Sequence, residues 1–124
     1  MTRINVGIKP SELPDKLLLA EHREIKRIPR MITSGKAKLD NIPTKFKLGT
    51  GHVKFFYGQM KYTFERYCSL YYECISRGFN VTNYMDNWKF KWGNLQGDYQ
   101  PTQTDRQLIK QRIYERTLHH IKDD

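Results

Sequence analysis

Glu24 is a lone acid in a basic stripe, with Arg23, Lys26, Arg27 and Arg30 around it in LLLAEHREIKRIPR, residues 17–30. A carboxylate so placed has two uses. It can pair with Arg27 on an exposed helix face, at i,i+3 spacing, for about 0.2–0.5 kcal/mol. It can also be the single acid of a site that binds phosphates, free for proton transfer once those phosphates neutralise the cations. Composition alone favours the first use.

The other residues able to do chemistry are fewer. Cys68 and Cys74 are the only cysteines. Six residues apart on a helix, they lie about 9 Å apart along the axis and on different faces, so they cannot bridge. Buried thiols in a reducing compartment are the expectation. With two cysteines at that spacing and no His-x3-His pair, no tetrahedral zinc set forms, so no metal is expected. His119 and His120 are adjacent and point apart on a helix. In NWKFKW, residues 87–92, Trp88, Phe90 and Trp92 alternate with Lys89 and Lys91. An extended segment would put the rings on one side and the cations on the other. Covering the helices is the expected role for those rings, ahead of base stacking.

Charge narrows the class of partner. The chain of 124 residues carries a net charge of +9, and residues 1–62 hold thirteen Lys/Arg against five Asp/Glu. Residues 63–124 hold nine against eight. Residues 23–54 alone carry nine cations against Glu24 and Asp40. A basic excess confined to one half points to a polyanion, nucleic acid before an acidic membrane surface. The longest apolar runs, such as Leu17-Leu18-Leu19-Ala20 and Phe55-Phe56-Tyr57, are too short to span a bilayer. No apolar run of signal-peptide length follows Arg3, so a cytoplasmic protein is expected.

These residues need helices to position them. Ser11 is the expected N-cap of a first helix, with Pro14 in its first turn. Leu13, Leu17, Ala20/Glu21, Glu24/Ile25 and Ile28 follow helical spacing to about Arg30 or residues 33–35. Gly35, Pro43 and Gly49 mark residues 34–50 as a loop. Phe56, Met60, Phe64, Tyr67/Cys68, Tyr71 and Ile75 predict one long buried helix over residues 51–80, bent at Gly58 and capped at Arg77-Gly78-Phe79. Its aromatics read as core, with Tyr hydroxyls reaching the surface. Residues 80–103 are irregular. Leu108, Ile109, Ile113 and Leu118 give the inner side of a last helix from 104 to about 121. The expectation is an all-α, compact single domain over residues 1–124, built on three main helices with long connections.

Six blocks then share their order with one family: MTRIN at the start, SEL at 11–13, AEHRE at 20–24, LGTGHVKFFY at 48–57, ECISRGFN at 73–80 and GDYQP at 97–101. Together they resemble the phage-type pyrimidine-dimer DNA glycosylase/AP lyases of the endonuclease V type, over residues 2 to about 116. An insertion precedes Ser11 and the loop at 40–44 is shorter.

That resemblance implies a single helical domain acting on double-stranded DNA as a monomer, with no metal or cofactor. It implies that Met1 is removed, that the Thr2 α-amine attacks C1′ of the damaged nucleotide, and that Glu24 is the essential acid. It places Arg112 and Arg116 on the DNA backbone, and on charge alone Arg3, Arg23 and Arg27 would bind the phosphates on either side of the target nucleotide. It also implies a kinked duplex with a base pushed out opposite the lesion. Elementary chemistry agrees. An α-amine with a pKa of about 7.7–8.0 is partly free near neutral pH, and neighbouring arginines disfavour its protonated form. Two departures stand out. The family often reads His-Leu-Met-Ala-Glu-Tyr-Arg-Glu where this chain has residues 17–24, so an imidazole and a phenol have changed. Its better-known members end in an aromatic tail associated with dimer recognition, where this chain reads HHIKDD at 119–124. A different lesion, a modified base or an abasic site is therefore the alternative substrate. A non-catalytic DNA-binding protein on the same scaffold and an RNA- or membrane-surface module are the other classes.

Overall fold

The computed structural model describes residues 2–123, with side-chain surroundings as far as Thr117 in the last helix. The chain is all-α. Five α-helices run in the order α1 (Asp15–Glu24), α2 (Arg27–Thr33), α3 (His52–Phe56), α4 (Met60–Ser76) and α5 (Gln103–Asp123). Three 3-10 turns, Pro10–Glu12, Met85–Trp88 and Gly93–Leu95, punctuate the connections. Among the described residues there is no strand, only an isolated antiparallel bridge between Gln59 and Gln96.

Five helices replace the expected three because two of the expected helices are each broken once. The stretch 17–30 is not continuous: α1 ends at Glu24 and α2 starts at Arg27. Pro29 explains the break. Its ring opposes the carbonyl four residues back, that of Ile25, and it has no N–H to give. Ile28 N–H donates to the Ile25 carbonyl instead, at 3.1 Å, which tightens the turn. The break matters because it separates Glu24 from Arg27.

The second break falls at Gly58, which interrupts the chain between α3 and α4 rather than bending one helix. Gly97 docks there, with its N–H on the Gly58 carbonyl at 3.0 Å and its carbonyl receiving Tyr62 N–H at 3.3 Å. A Cβ at position 97 would lie 2.5 Å from that Gly58 oxygen, so only glycine closes this approach.

Ser11 does not cap α1, whose N-cap is Pro14. A residue before proline is pushed out of the helical region, and Leu13 is extended at ψ 136°. At the other end of α4 the expected cap holds. Gly78 takes φ +86°, Phe79 N–H bonds the Cys74 carbonyl at 2.9 Å, and Gly78 N–H bonds that of Ile75 at 2.9 Å.

Leu18, Ile25, Ile28, Phe55, Phe56, Met60, Tyr67, Leu70 and Ile109 are fully buried. At roughly 1.5–3 kcal/mol per large apolar side chain, such residues dominate the folding energy. Three expectations fail here. Ile75 and Leu108 are 47% and 45% exposed, so the inner face of α4 is rotated towards Leu70 and Cys74, and that of α5 towards Ile109. The Tyr67 hydroxyl is internal, 2.9 Å from His22 Nε2 and receiving Tyr84 N–H at 2.7 Å. Leu118, His119 and His120 lie outside the described side chains. Elsewhere Trp88 is buried with its indole N–H on Thr63, Lys89 and Lys91 face outward, and both cysteines are free thiols.

Candidate active site

The opening segment, which carries the expected nucleophile, is part of the core. Ile4, Val6 and Ile8 alternate inward and are 0%, 0% and 5% exposed, yet no strand lies beside them. Buried backbone groups need partners. Here side chains supply them. Ile4 N–H donates to His52 Nε2 at 3.2 Å, and the Ile4 carbonyl accepts from Arg112 Nη2 at 3.3 Å. Arg106 Nε–H donates to the Gly7 carbonyl and Arg66 Nη1–H to that of Ile8, each at 3.0 Å. Helices α3, α4 and α5 thus grip one opening segment, which turns at Val6–Gly7 with Ile8 N–H on the Asn5 carbonyl at 3.3 Å.

A buried ion pair secures that grip. Glu21, 2% exposed, receives Arg66 through Nε and through Nη2 at 3.0 Å, and takes a further hydrogen bond from Asn5 Nδ2 at 2.8 Å. Arg112 Nη2 also donates to Asn5 Oδ1 at 3.1 Å. An unpaired buried charge would be costly, and the bidentate geometry offsets the desolvation. The amino-acid pattern did not reveal this pair or the His52 contact. The only signal was Glu21 falling on the inner stripe of its helix, a place where acids are rarely found unpaired.

Two cavities are lined by adjacent residues of the opening segment, one by Arg3 and the other by Thr2. One, of about 250 Å³, is lined by Arg3, Asn5, Leu17, Ala20, Glu21, Glu24 and Arg116. The other, of about 470 Å³, is lined by Thr2, Arg27, Arg30, Met31, Ser34, Lys36, Val53 and Tyr57. The structure therefore gathers Arg3, Glu24 and Arg116 in one hollow and Thr2 and Arg27 in the next. Thr2 is 8% exposed.

The remaining expected residues fall at the margin. Arg23 is largely solvated, and its Nη2 is 3.8 Å from Glu24 Oε2. Among the described residues that contact, not one with Arg27, is the ion pair Glu24 makes. Arg112 is occupied by Ile4 and Asn5, so it holds protein backbone as well as facing the cation cluster. Lys26 and Arg30, members of the basic stripe, are engaged with the Met85–Trp88 turn: Lys26 Nζ sits 3.8 Å from the Tyr84 ring centre, and Arg30 Nε–H donates to Asn87 Oδ1 at 2.8 Å.

The electrostatics of this hollow favour an anionic ligand. Burial, with Arg3 and Arg116 nearby, lowers the Arg112 guanidinium to about 10, against the opposing pull of Glu21. Arg116 is lowered by burial and by Arg3, with Glu24 opposing. Phosphates placed among these cations would relieve their mutual repulsion. His52 and His22 are both held below the ordinary imidazole value, first by burial and then by neighbouring cations.

Among the described residues no cluster of three or more His, Cys, Asp or Glu side chains could hold a metal ion, and no helix is long and apolar enough to cross a membrane. Residues 1–87 match the family described as pyrimidine dimer DNA glycosylase. The matched span includes Thr2, Arg3, Arg23, Glu24 and Arg27; the α5 arginines lie beyond it.

Proposed function

The chain belongs to the pyrimidine dimer DNA glycosylase family, a family of DNA-repair enzymes, and from that premise we propose that it is a combined glycosylase and AP lyase working through the Thr2 amine. Removal of Met1 frees that amine. Its nitrogen attacks C1′ of the damaged nucleotide as the bond from C1′ to the base nitrogen breaks, and the base leaves with the electron pair and takes up a proton. Opening of the sugar ring, with a proton delivered to the ring oxygen, leaves an imine between Thr2 and C1′. Glu24 then removes a proton from C2′, the electrons form the C2′–C3′ double bond, and the 3′ phosphate departs, which breaks the strand. Water later hydrolyses the imine and frees the enzyme.

The observation that carries this reading is that adjacent residues of the opening segment line two cavities, Arg3 with Glu24 and Arg116 in one and Thr2 with Arg27 in the other. Arg3, Arg27 and Arg116 hold phosphates beside the target nucleotide, and Arg23 adds a weaker contact from the rim. Once phosphates occupy those cations, Glu24 faces the sugar. The enzyme acts on duplex DNA as a monomer and calls on no metal or cofactor for these steps.

Borohydride reduction in the presence of irradiated or abasic duplex tests this directly. A covalent protein–DNA complex, abolished by acetylating the N-terminus, is the expected result. No complex with either DNA would remove the proposal. Strand nicking compared across irradiated, abasic and undamaged duplexes identifies the lesion.

A further inference from the structure

Among the described residues, His52 is the one titratable side chain bonded to the backbone of residues 2–8 through an atom that must stay unprotonated. Its Nδ1–H donates to the Lys47 carbonyl at 2.9 Å, which commits the proton to Nδ1 and leaves the Nε2 lone pair to accept Ile4 N–H at 3.2 Å. The ring is 4% exposed and wedged edge-on against Phe46 and Phe56, with centres 5.6 and 5.1 Å away. We propose that His52 is a positioning residue for the Thr2 amine: its neutral imidazole fixes the peptide nitrogen of Ile4, and protonation in acid releases that nitrogen and with it the nucleophile. This rests on the amine reading above.

The chain of cause is short. An imidazolium has two donors and no acceptor, so a second proton sets N–H against N–H at Ile4. The packed rings leave His52 no room to turn away. The Ile4 carbonyl stays on Arg112, which is charged across the whole range concerned, so only the nitrogen's hold is titratable. Thr2 is two residues upstream, at most about 7 Å along the chain, and a misplacement of about 1 Å can cost roughly 10²-fold in rate. The charged groups facing the ring come from three elements. Arg3 in the opening segment and Arg112 on α5 oppose its protonation, and Glu21 on α1 favours it. Burial and the two arginines prevail, so the ring stays neutral below the usual imidazole range.

The test compares the parent with His52→Gln and His52→Ala in borohydride trapping on an abasic duplex from pH 8.5 to 5, with exchange of the Ile4 amide followed in parallel. In the parent, the logarithm of the trapping rate falls with slope one as the amine protonates, then steepens to two below the ordinary imidazole range. Ile4 loses its exchange protection over the same interval. His52→Gln, whose side-chain carbonyl can accept from Ile4 and does not titrate, keeps the neutral rate and stays at slope one. His52→Ala traps about tenfold or more slowly at pH 8 with DNA affinity unchanged. A second proton persisting in His52→Gln, or unimpaired trapping in His52→Ala, would overturn the inference. If His52→Ala does not fold, the slopes of parent and His52→Gln decide alone. A parent that traps nothing removes the amine reading, and Ile4 exchange still judges the clamp: protection unchanged with pH overturns it.

Discussion

The last turn of α1 carries two carboxylates three residues apart, on different faces of the helix, and they are treated in opposite ways. Glu21 on the inner face is 2% exposed and takes hydrogen bonds from Arg66 and Asn5. Glu24 on the outer face has a 16% exposed side chain and one loose contact, 3.8 Å from Arg23. An acid whose lone pairs are all engaged builds the site. An acid with lone pairs to spare is available for chemistry. Residue type is the same; the difference lies in how many donors already surround it.

Substituting the two acids separates those roles. Glu24→Gln should lower strand cleavage by about 10²–10⁴-fold, the usual range for a lost general base, while changing stability by no more than about 0.5 kcal/mol. Single-turnover nicking and urea unfolding of the same preparations check both halves. Glu21→Gln should do the reverse. It strips the charge that balances buried Arg66 and should destabilise the fold by about 3–5 kcal/mol, visible as an earlier unfolding midpoint. Activity measured well below that midpoint should fall less than in Glu24→Gln. Equal stability losses in the two variants would end the contrast.

The arginines divide along the same line. Arg3 and Arg116 line the hollow with Glu24, so alanine at either should weaken binding to all duplexes and reduce the salt slope by about one counterion. Arg112 also holds Ile4 and Asn5, so Arg112→Ala should slow the covalent step more than it changes the salt slope. Binding isotherms at several salt concentrations, set beside trapping rates, distinguish the two.

Acid should loosen the inner side first. His52 and His22 have folded pKa values below the unfolded 6.5, so the folded state binds fewer protons there than the unfolded chain. Stability is therefore complete above that value and is lost as pH falls through the lowered folded ones. Thermal unfolding from pH 8 to 5 should show a falling midpoint, and His52→Gln should flatten part of the decline.

Which parts were legible beforehand follows from the range of the interactions. The α4 cap was readable because Arg77, Gly78 and Phe79 are neighbours and the motif is local. The breaks at Ile25 and Gly58 were harder. Pro29 carries the first in plain view, but the second depends on Gly97 arriving from 39 residues away. The Glu21–Arg66 pair spans 45 residues and His52–Ile4 spans 48, so neither leaves a spacing to find. Alternating Ile4, Val6 and Ile8 resemble a strand, yet the segment turns at Gly7 and bonds to distant side chains, which no periodicity encodes. The proposed catalytic acid was the easier one to single out, since Glu24 stands alone among cations along the chain itself.

Arg23 gives the smallest and most exacting test of the comparison. Its side chain is 59% exposed and its contact with Glu24 is long, so as a stabilising pair it is worth about 0–1 kcal/mol. Arg23→Ala should therefore leave the unfolding midpoint almost unmoved. If Arg23 served chiefly to occupy Glu24, removing it would free the carboxylate, and nicking at saturating DNA would rise or hold steady. If it serves as a phosphate contact at the rim, affinity should drop modestly at low salt, and the difference should fade as salt screens it. The second outcome is expected, because the low dielectric that would make a 3.8 Å ion pair strong is absent at so solvated a guanidinium.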